Sequence, residues 1–341
     1  MSKKLLITGG SGFVGNYLIE YFLKNSDYEI ISLNKKNSLI ETARLKNILN
    51  NFSQSDKKRL KLVNHNLRDE INVKSIKVPQ NINLIIHLAA ENNIDNSMLN
   101  PIDCIYDNVI GTLNILNFAK NADSIEKFIH FSSFEVFGAA PSNISFSEYD
   151  RYNSLNPFAA SKAGAEELAV AFENCYSLPI SIIHTMNIFG YRQDSKKFIP
   201  STIKKIMNDQ VVLIHSDANK SNPGSRKYIH ASDLADGIKF IIDYDFSKIK
   251  KNLMETKCNK FNIVGLEEIN NLQLAQHIAS CIGKELNYKM VNFHENKPAH
   301  NLRFSLSSEK INALGWRPRS FYKTLKEVVN DYKANPDWLT S

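Results

Sequence analysis

Two segments of the sequence bring together side chains that can transfer protons. The first follows the run Lys127–Phe131 and carries the Ser133 hydroxyl and the Glu135 carboxylate. The second places the Lys162 ammonium one helical turn after Phe158, so that both side chains share a helix face. Hydroxyl, carboxylate and ammonium groups are common participants in acid–base chemistry. The run before Ser133 predicts a strand, and ligands bind at the carboxyl ends of strands in open parallel sheets.

The N-terminal segment has the pattern of a dinucleotide-binding unit. The apolar run Leu5–Ile7 predicts a buried strand, and a helix-like pattern begins at Asn16. The glycines between them permit a tight turn, close approach of a pyrophosphate to the backbone, and packing of helix on strand. The residues predicted to contact a dinucleotide here are Gly9, Gly12, Phe13, Val14 and Gly15.

The end of the second predicted strand bears on the choice between NAD and NADP. The strand Tyr28–Leu33 is followed by Asn34, Lys35 and Lys36, where the NAD version of the fold carries an acidic residue that binds the ribose. An uncharged Asn34 does not repel a 2′-phosphate, and either lysine can attract one. This favours NADP over NAD. The alternative is two exposed lysines beside an asparagine that still bonds the ribose.

Later strand ends supply the other predicted cofactor contacts. Leu60–Asn64 and Leu84–Ala90 read as the third and fourth strands, and a helix is predicted from Pro101 to Asn121. Small residues after the fourth strand let the backbone lie against the cofactor. The residues predicted from these segments are Asn66, Leu67, Leu88, Ala89, Ala90 and Asn108, with Lys162 as a further cofactor contact.

The alternation of strands and helices predicts an α/β fold with a Rossmann-type, doubly wound parallel sheet. A helix from Asn156 to about Tyr176 and a sixth strand, Ile180–His184, continue it. The alternation then loosens. We therefore predict a dinucleotide-binding domain at 1–190, with a returning segment near 225–245, and a smaller mixed α/β substrate lobe at 191–341.

Composition excludes several classes of protein. The 341 residues are 43% hydrophobic and contain no apolar run long enough for a membrane span or a signal peptide. The four cysteines lack metal-ligand spacing, and we expect no metal and reduced, buried thiols in a cytoplasmic protein. The net charge of +7 comes from scattered lysines. It favours a solvated surface and an anionic small substrate over a nucleic-acid patch.

Taken together, the motifs resemble the extended short-chain dehydrogenase/reductase family, the NAD-dependent sugar epimerases and dehydratases. The segments that carry the resemblance span most of the chain: Thr8-Gly9-x-x-Gly12-x-x-Gly15, His87-Leu88-Ala89-Ala90, Asn108-x-x-Gly111-Thr112, Ser132-Ser133-x-Glu135-Val136-x-Gly138, Asn156-Pro157-Phe158-Ala159-Ala160-Ser161-Lys162 and Asn187-x-Phe189-Gly190. Three features are closer to the nucleotide-sugar 4,6-dehydratases: Glu135, Lys197-Phe198-Ile199-Pro200, and His300-Asn301-x-Arg303-Phe304 with the run at 314–318.

The resemblance implies a reaction on a nucleoside-diphosphate sugar, with NAD or NADP as cofactor. A hydride leaves sugar C4, a proton leaves C5, water leaves from C6, and the hydride returns to C6. In the family a tyrosine deprotonates the C4 hydroxyl, aided by a lysine one turn later, here Lys162, and by a hydroxyl, here Ser133. Glu135 takes the role of the C5 base. The resemblance further implies a homodimer and substrate contacts from Glu91, Ser133, Asn187, Lys197, Arg226 and Arg303.

Two departures from the family pattern affect the chemistry. The position of the tyrosine holds Phe158, which has no ionisable oxygen and cannot be the base. Either Phe158 is an active-site substitution that slows or abolishes turnover, which we favour, or the protein works without that tyrosine. The residue before Glu135 is Phe134, where the best-known dehydratases carry an acidic residue, so either another group donates the proton to the leaving water or the reaction is a variant elimination.

Other interpretations remain open at this point. An NDP-uronate decarboxylase or an NDP-sugar epimerase of the same family fits many of the motifs. A protein that binds nucleotides without catalysis, as a sensor or scaffold, fits Phe158 but leaves the retained Ser133, Glu135 and Lys162 unexplained. Arg226 next to Lys227 also fits a plain basic turn, and Asn187 also fits a structural cap.

Overall fold

The structure is a computed structural model that describes residues 2–35, 39–72, 76, 78–246, 259–292 and 301–339. The chain divides into two compact units. The first comprises Met1–Val136, Arg151–His184 and Ile238–Phe261, and the second comprises Phe137–Asp150, Thr185–Gly237 and Asn262–Ser341. The roles predicted for domains 1–190 and 191–341 concern ligand binding and remain predictions.

The first unit is built on a parallel sheet with a dinucleotide-binding strand order. Its strands are β1 (Lys4–Thr8), β2 (Glu29–Asn34), β3 (Leu60–Asn64), β4 (Leu84–His87), β5 (Lys127–Phe131) and β6 (Ile180–His184). They pair in parallel in the order β3-β2-β1-β4-β5-β6, and a later strand, Asn259–Asn262, lies beside β6 at the edge. The chain changes direction across the sheet between β1 and β4, which places a crevice at their carboxyl ends. The predicted fold class is confirmed.

Helices flank this sheet because its strands are apolar on both faces. The helices of the first unit are α1 (Phe13–Asn25), α2 (Leu39–Leu49), α3 (Gln54–Lys58), α4 (Ile94–Leu99), α5 (Pro101–Ile105), α6 (Gly111–Lys120) and α7 (Pro157–Tyr176). A later helix, α9 (Ala231–Asp243), begins among residues of the second unit and ends among residues of the first. Helices α6 and α7 cover one face with residues such as Ile115 and Ala169, packed on Phe128 and Ile182 of the sheet. This burial fixes α7, which carries Phe158 and Lys162.

The second unit contains short strand pairs and its own core. Its strands are β7 (Ile188–Phe189), β8 (Val212–Ser216), β9 (Ser225–Lys227), β10 (Ile229–His230), β12 (Glu268–Asn270) and β13 (Tyr288–Asn292), β11 being the edge strand Asn259–Asn262. Its helices are α8 (Phe198–Met207), α10 (Asn271–Ile282), α11 (Glu309–Ala313) and α12 (Phe321–Ala334), with a 3₁₀ turn at Pro336–Leu339. Buried residues of α8, α10 and α12, among them Ile203, Leu274 and Val328, form one cluster. This cluster holds β9 and β12 together as a small antiparallel pair.

Two expectations from the sequence are wrong in detail. The helix predicted from Pro101 to Asn121 is interrupted by a π-helical turn, Tyr106–Ile110, which separates α5 from α6. Such turns insert one residue into a helix and often occur at functional sites. The cysteines are not all buried: Cys104 is buried, Cys281 is half-buried and Cys175 is exposed, and Cys258 lies outside the described residues.

The described residues contain neither a membrane-spanning helix nor a cluster of metal-binding side chains. None of the helices in that part of the chain is long and apolar enough to cross a membrane. In the same residues there is no group of three or more His, Cys, Asp or Glu side chains that could hold a metal ion.

Candidate active site

The hydroxyl and the carboxylate predicted to act together lie on one short segment at the end of β5. The strand delivers Ser133, and a 3₁₀ turn, Phe134–Phe137, follows at once. The backbone N–H of Glu135 donates to the Ser133 hydroxyl oxygen at 3.2 Å. Ser133 is 9% exposed and Glu135 is 6% exposed, so both are buried. Beside them the hydroxyl of Ser132 is buried without a hydrogen-bond partner in the described structure.

Asn156 joins this segment to the start of α7. Its side-chain oxygen caps the helix by accepting from the N–H of Ala159 at 2.8 Å. Its amide nitrogen lies 3.3 Å from a carboxylate oxygen of Glu135 and donates to it. Pro157 occupies the first helical position, where its missing N–H costs nothing. One buried asparagine therefore sets both the start of α7 and the position of the carboxylate.

Lys162 is buried one turn further along α7. Its ammonium donates to the carbonyl oxygen of Phe131, the last residue of β5. Burial lowers the pKa of Lys162 to about 8, and the carboxylate of Glu166 opposes that shift. The side chain is therefore a proton donor at the carboxyl edge of the sheet with a pKa close to physiological pH.

Phe158 packs inside the same region. Its side chain is 7% exposed, its N–H donates to the hydroxyl oxygen of Ser97 at 3.2 Å, and its carbonyl accepts from Ser161 at 2.7 Å. Its backbone is thus fixed by α4 and by the first turn of α7. A tyrosine at this position would add one oxygen to a ring already held in place.

The glycine-rich turn has the shape that a pyrophosphate requires. Gly9 adopts φ +71°, and a Cβ on it would lie 3.0 Å from the backbone of Ala89. A Cβ on Gly15 would lie 2.4 Å from the carbonyl oxygen of Gly9. A Cβ on Gly12 would meet only that carbonyl oxygen, at 3.2 Å, so the turn is open on this side. No side chain in the described residues caps α1 at Gly12, which leaves first-turn N–H groups for an anion.

The residues described at the end of β2 already make hydrogen bonds or an ion pair within the protein. Asn34 is buried, accepts from the N–H of Ser11 at 2.9 Å and donates to the hydroxyl of Ser32 at 3.0 Å. Lys35 is exposed, and its ammonium lies 3.4 Å from the carboxylate of Asp107. Lys36, the other lysine of the NADP prediction, lies outside the described residues. Asn34 therefore fixes the glycine-rich turn to β2.

A chain of hydrogen bonds runs beneath the ends of β1 and β4. The Thr8 hydroxyl oxygen accepts from the N–H groups of Leu88 and Ala89, so its proton goes to Nδ1 of His87 at 2.7 Å. The other nitrogen of His87 then donates to Thr112 at 3.0 Å. Thr112 in turn donates to the carbonyl of Asn108 at 2.6 Å. Burial lowers the pKa of His87 to about 3, which agrees with the neutral ring that this order requires.

Asn108, predicted as a cofactor contact, acts as a tether in the π-helical turn. Its oxygen accepts from the N–H of Glu91 at 2.7 Å, and its amide donates to the carbonyl of Glu91 at 3.0 Å and to Ser161 at 2.8 Å. It thereby ties the segment after β4 to α7. Whether it also contacts a cofactor stays a prediction.

The remaining predicted cofactor residues lie at strand or helix ends of the first unit. Phe13 and Val14 are half-buried at the start of α1, and Leu88, Ala89 and Ala90 are half-buried directly after β4. Asn66 is exposed, and Leu67 is buried against Gly111, 3.4 Å from a Cβ built there. Asn66 and Leu67 follow β3, and Leu88, Ala89 and Ala90 follow β4. These two strands lie next to β2 and β1, respectively.

Glu91 is predicted as a substrate contact and is already hydrogen-bonded. Its two carboxylate oxygens accept from the N–H of Asn93 at 2.8 Å and from the side-chain amide of Asn96 at 2.6 Å. It therefore shapes the start of α4.

The other predicted substrate residues belong to the second unit. Asn187 has φ +41° and donates to the carbonyl of Lys227 at 3.3 Å, and Lys197 is exposed just before α8. Arg226 donates to the carbonyls of Ser225, Asn301 and Leu302 and lies over the ring of Phe304. His300 lies outside the described residues.

Arg303, another of the predicted substrate contacts, makes several hydrogen bonds within the protein. Its guanidinium makes two 2.8 Å hydrogen bonds to the carboxylate of Glu268 and also donates to the carbonyls of Pro141 and Ile144. Burial raises the pKa of Glu268, but the bonds from Arg303 and Ser225 outweigh it and hold that pKa below its usual value. An anion that binds Arg303 must therefore compete with an ionised carboxylate.

Sequence reasoning missed a buried ionic group in the first unit. The carboxylate of Glu166 accepts from Lys260 at 2.8 Å, from His184 at 3.0 Å and from the hydroxyl of Tyr152. These residues come from α7, β11, β6 and the segment before α7, far apart in the chain. The one available signal was the spacing of Glu166 from Lys162, four residues on the same helix.

Comparisons with known proteins agree with this architecture. The family described as GDP-mannose 4,6 dehydratase matches residues 6–330. The chain is 29% identical to human dTDP-D-glucose 4,6-dehydratase over 98% of this chain and 91% of that protein. It is also 29% identical to a trifunctional UDP-glucose 4,6-dehydratase, 3,5-epimerase and reductase of Arabidopsis thaliana, of whose length it spans about half, 48%.

A solved structure gives the same picture. The dTDP-glucose 4,6-dehydratase of Streptomyces venezuelae, crystallised with NAD bound, superimposes with a TM-score of 0.82 at 26% identity, and the match covers 98% of both chains. With the family match over nearly the whole length, the fold and the sequence agree. The chain belongs to the GDP-mannose 4,6 dehydratase family, within the extended short-chain dehydrogenases/reductases that act as nucleotide-sugar dehydratases and epimerases.

Proposed function

We propose that the protein is an NAD-dependent nucleotide-sugar dehydratase of the 4,6 type, slowed at the oxidation step by Phe158. The observation that carries the proposal is the gathering of three groups at the carboxyl edge of the sheet. Ser133 and Glu135 follow β5, Asn156 bonds Glu135 at 3.3 Å and starts α7, and Lys162 on α7 donates back to Phe131. The family match and the relatives named 4,6-dehydratase support the same reaction.

The residues present fit a nicotinamide dinucleotide, which when bound supplies the hydride acceptor at C4 and the hydride donor at C6. The open face of Gly12 and the uncapped N-terminus of α1 would hold its pyrophosphate. Lys162 would hold a proton beside the sugar O4 and the ribose, and Ser133 would orient O4. The carboxylate of Glu135, held by Asn156, would take the proton from C5 once C4 is a ketone.

Phe158 removes one part of this machinery. Loss of the C4 hydroxyl proton needs an acceptor within hydrogen-bond reach, and a phenyl ring offers none. Glu135, Ser133 and Lys162 are retained for the later steps, and the proton for the leaving water must come from a group other than Phe134. The chain as it stands should therefore bind cofactor and substrate, oxidise C4 slowly, and exchange the C5 proton of sugars that are already oxidised at C4.

The test is turnover of Phe158→Tyr against the unaltered chain. dTDP-glucose, UDP-glucose, GDP-mannose and UDP-glucuronate are each incubated with NAD, and products are read by mass for loss of water or of carbon dioxide. We expect the tyrosine to raise the rate by roughly a hundredfold or more, the usual worth of a positioned acid–base group. Phe158→Leu, which also lacks oxygen, is the matched control. No gain in Phe158→Tyr on any of these sugars would contradict the proposal, and loss of carbon dioxide from a uronate would favour a decarboxylase.

We further propose NAD rather than NADP, which revises the expectation from the sequence. The ammonium of Lys35 is engaged by Asp107, which Arg68 also contacts at 2.8 Å, so a 2′-phosphate that binds Lys35 would also meet the carboxylate of Asp107. Calorimetric titration with both dinucleotides checks this. Tighter binding of NADP than of NAD would restore the original expectation.

We propose that the first unit binds the dinucleotide and that the second supplies the ligands of the sugar nucleotide. Asn187, Lys197 and Arg226 are candidates in the second unit, with Arg303 available once a diphosphate replaces Glu268. Arg226→Ala and Arg303→Ala should each weaken binding of a nucleoside diphosphate. Unchanged affinity in both would assign these arginines to structure alone.

We propose a homodimer formed through α4, α5 and the π-helical turn. Leu99 and Ile102 are 79% and 71% exposed, and Ile105 and Tyr106 are also exposed nearby, an unusual run of apolar side chains for a free surface. Light scattering after size exclusion should show a dimer that Ile102→Glu converts to monomer. Leu213→Glu, an equally drastic change at an exposed position on β8, should leave it intact. A wild-type monomer would contradict the proposal.

A further inference from the structure

The buried ionic group around Glu166 has no role in the function proposed so far. Glu166 and His184 are fully buried, and the side chain of Lys260 is 8% exposed. The Glu166 carboxylate accepts from Lys260, His184 and Tyr152, and Lys260 also donates to Tyr152 at 2.7 Å. Burial raises the pKa of Glu166, but its charged neighbours outweigh this and hold the pKa well below its usual value, so the group is a carboxylate. Burying such a set is costly, and it stabilises a fold less than apolar residues of equal volume can.

Glu166 stands one turn after Lys162 on the same buried face of α7. Side chains at this spacing are neighbours, with Cβ atoms about 5–6 Å apart. The other titratable groups that face Lys162 from the described elements are Cys104 on α5, His87 on β4 and His130 on β5. Burial is the largest effect on each: it keeps the two imidazoles neutral by lowering their pKa values and keeps the thiol neutral by raising its pKa.

Among Glu166, Cys104, His87 and His130, Glu166 is therefore the residue that carries a negative charge, opposite to that of the Lys162 ammonium. An ammonium in a buried setting loses its proton unless a negative charge lies near. The three donors around Glu166 keep its carboxylate ionised and fixed on α7, because moving it would break its buried bonds to Lys260, His184 and Tyr152. The Glu166 carboxylate is thus a fixed negative charge on α7, one turn from Lys162, on a residue that touches no reacting atom.

We propose that Glu166 is a positioning residue: held by Lys260, His184 and Tyr152, its buried carboxylate keeps Lys162 in the ammonium form that donates at the carboxyl edge of the sheet. The inference rests on the proposed function, because it concerns the lysine assigned there to the dinucleotide. It adds separate roles for two residues of α7: Lys162 contacts the ligands, and Glu166 keeps the Lys162 side chain protonated.

The first test is the pH dependence of NAD affinity, measured by calorimetry from pH 6 to 10. In the unaltered chain, affinity should fall above about pH 8 as Lys162 loses its proton. Lys162→Met identifies this step, because it should bind weakly at every pH. Glu166→Gln keeps the size and the hydrogen bonding of the side chain but removes its charge, and should move the fall to lower pH by about one unit.

Two further variants separate charge from structure. Glu166→Asp keeps the charge and should retain a midpoint close to that of the unaltered chain. Lys260→Met disturbs the same buried group but removes a positive charge, so it should not move the midpoint down. If Glu166→Gln leaves the midpoint in place, or if Lys260→Met moves it down equally, the proposal is wrong.

A ligand-free measurement keeps this test independent of the proposed function. The pKa of Lys162 is about 8 in the folded chain and 10.5 in the unfolded one, so between these values the unfolded chain binds more protons. The free energy of unfolding should therefore rise with pH over this window in the unaltered chain relative to Lys162→Met. In Glu166→Gln the rise should begin about one unit lower. Failure of the unaltered chain to bind NAD would refute the proposed function, whereas an unshifted rise in Glu166→Gln would refute the role of Glu166.

Discussion

At the scale of single residues, the site retains the side chains of Ser133, Glu135 and Lys162 but lacks the hydroxyl that a tyrosine would have at position 158. Glu135 is buried in a 3₁₀ turn directly after the buried Ser133, and Lys162 is buried on α7, while Phe158 is buried nearby and offers no acid or base. The absence of a tyrosine at position 158 therefore affects the oxidation of C4 rather than the whole site. Each remaining group can be tested separately by choosing a substrate that avoids the missing step.

A nucleoside-diphosphate 4-keto-6-deoxy-hexose is such a substrate, because its C5–H is already acidic. In deuterated water we expect the unaltered chain to exchange that hydrogen, read as a gain of one mass unit. Glu135→Gln should slow exchange by roughly a hundredfold, the usual worth of a positioned base. The same sugar nucleotide without the ketone is the control and should not exchange. Exchange that survives Glu135→Gln would assign the base to another residue.

The carboxylate of Glu268 gives a second prediction for a single side chain. Glu268→Gln removes the charge that engages Arg303, so a nucleoside diphosphate should bind about fivefold more tightly, a gain of about 1 kcal/mol. Glu267→Gln removes a charge from the neighbouring position and should leave affinity unchanged. Equal affinity in both variants would mean that Arg303 does not meet the diphosphate.

At the scale of elements, α7 depends on its first residues for both stability and chemistry. Asn156 caps the helix and holds Glu135, so one side chain connects the end of β5 to the start of α7. The π-helical turn acts similarly between β4 and α7 through Asn108. Both asparagines tie loops at the carboxyl edge of the sheet to the same helix.

The cap can be separated from the contact to Glu135. Asn156→Ala should lower the free energy of unfolding by about 1 kcal/mol, measured with urea, because the N–H of Ala159 loses its acceptor. Asn156→Ser keeps a capping oxygen and should stay within a few tenths of a kcal/mol. Since neither side chain reaches Glu135, both should slow the C5 exchange described above. Full exchange in Asn156→Ser would show that the contact to Glu135 has no part in the chemistry.

At the scale of the whole molecule, buried histidines make stability depend on pH. Burial lowers the pKa of His87 to about 3 and holds that of His130 well below 6.5, and neither ring nitrogen of His130 has a hydrogen-bond partner in the described structure. Below pH 6.5 these histidines bind protons in the unfolded chain but remain neutral in the folded chain. The free energy of unfolding should therefore fall on acidification by about 1.4 kcal/mol per pH unit for each histidine, down to about pH 3 for His87.

His130→Leu tests this dependence. The substitution removes one of these histidines, whose ring nitrogens have no hydrogen-bond partner in the described structure, so stability should fall less steeply between pH 6.5 and 4 and should not decrease at neutral pH. His277→Gln, at an exposed position on α10, should leave the slope unchanged. An unaltered slope in His130→Leu would show that this imidazole is protonated in the folded chain.

Local patterns in the sequence predicted much of the fold. The apolar runs gave the parallel strands, and the glycines gave the turn after β1, because these features depend on neighbouring residues. The π-helical turn was missed. Asn108 within it contacts Glu91 and Ser161, residues that the chain brings together only on folding. The same holds for Glu166 and Lys260, and for the carbonyls and carboxylate that engage Arg226 and Arg303.

The hydroxyl–imidazole–hydroxyl chain from Thr8 to Asn108 has a consequence for local motion. Its donors and acceptors fit in one order only, so the amides of Leu88 and Ala89 can open only if Thr8, His87 and Thr112 rearrange with them. These two amides lie just outside β4, where fraying would ordinarily expose them to solvent. Their deuterium uptake should instead be as slow as that of amides in the middle of the strand.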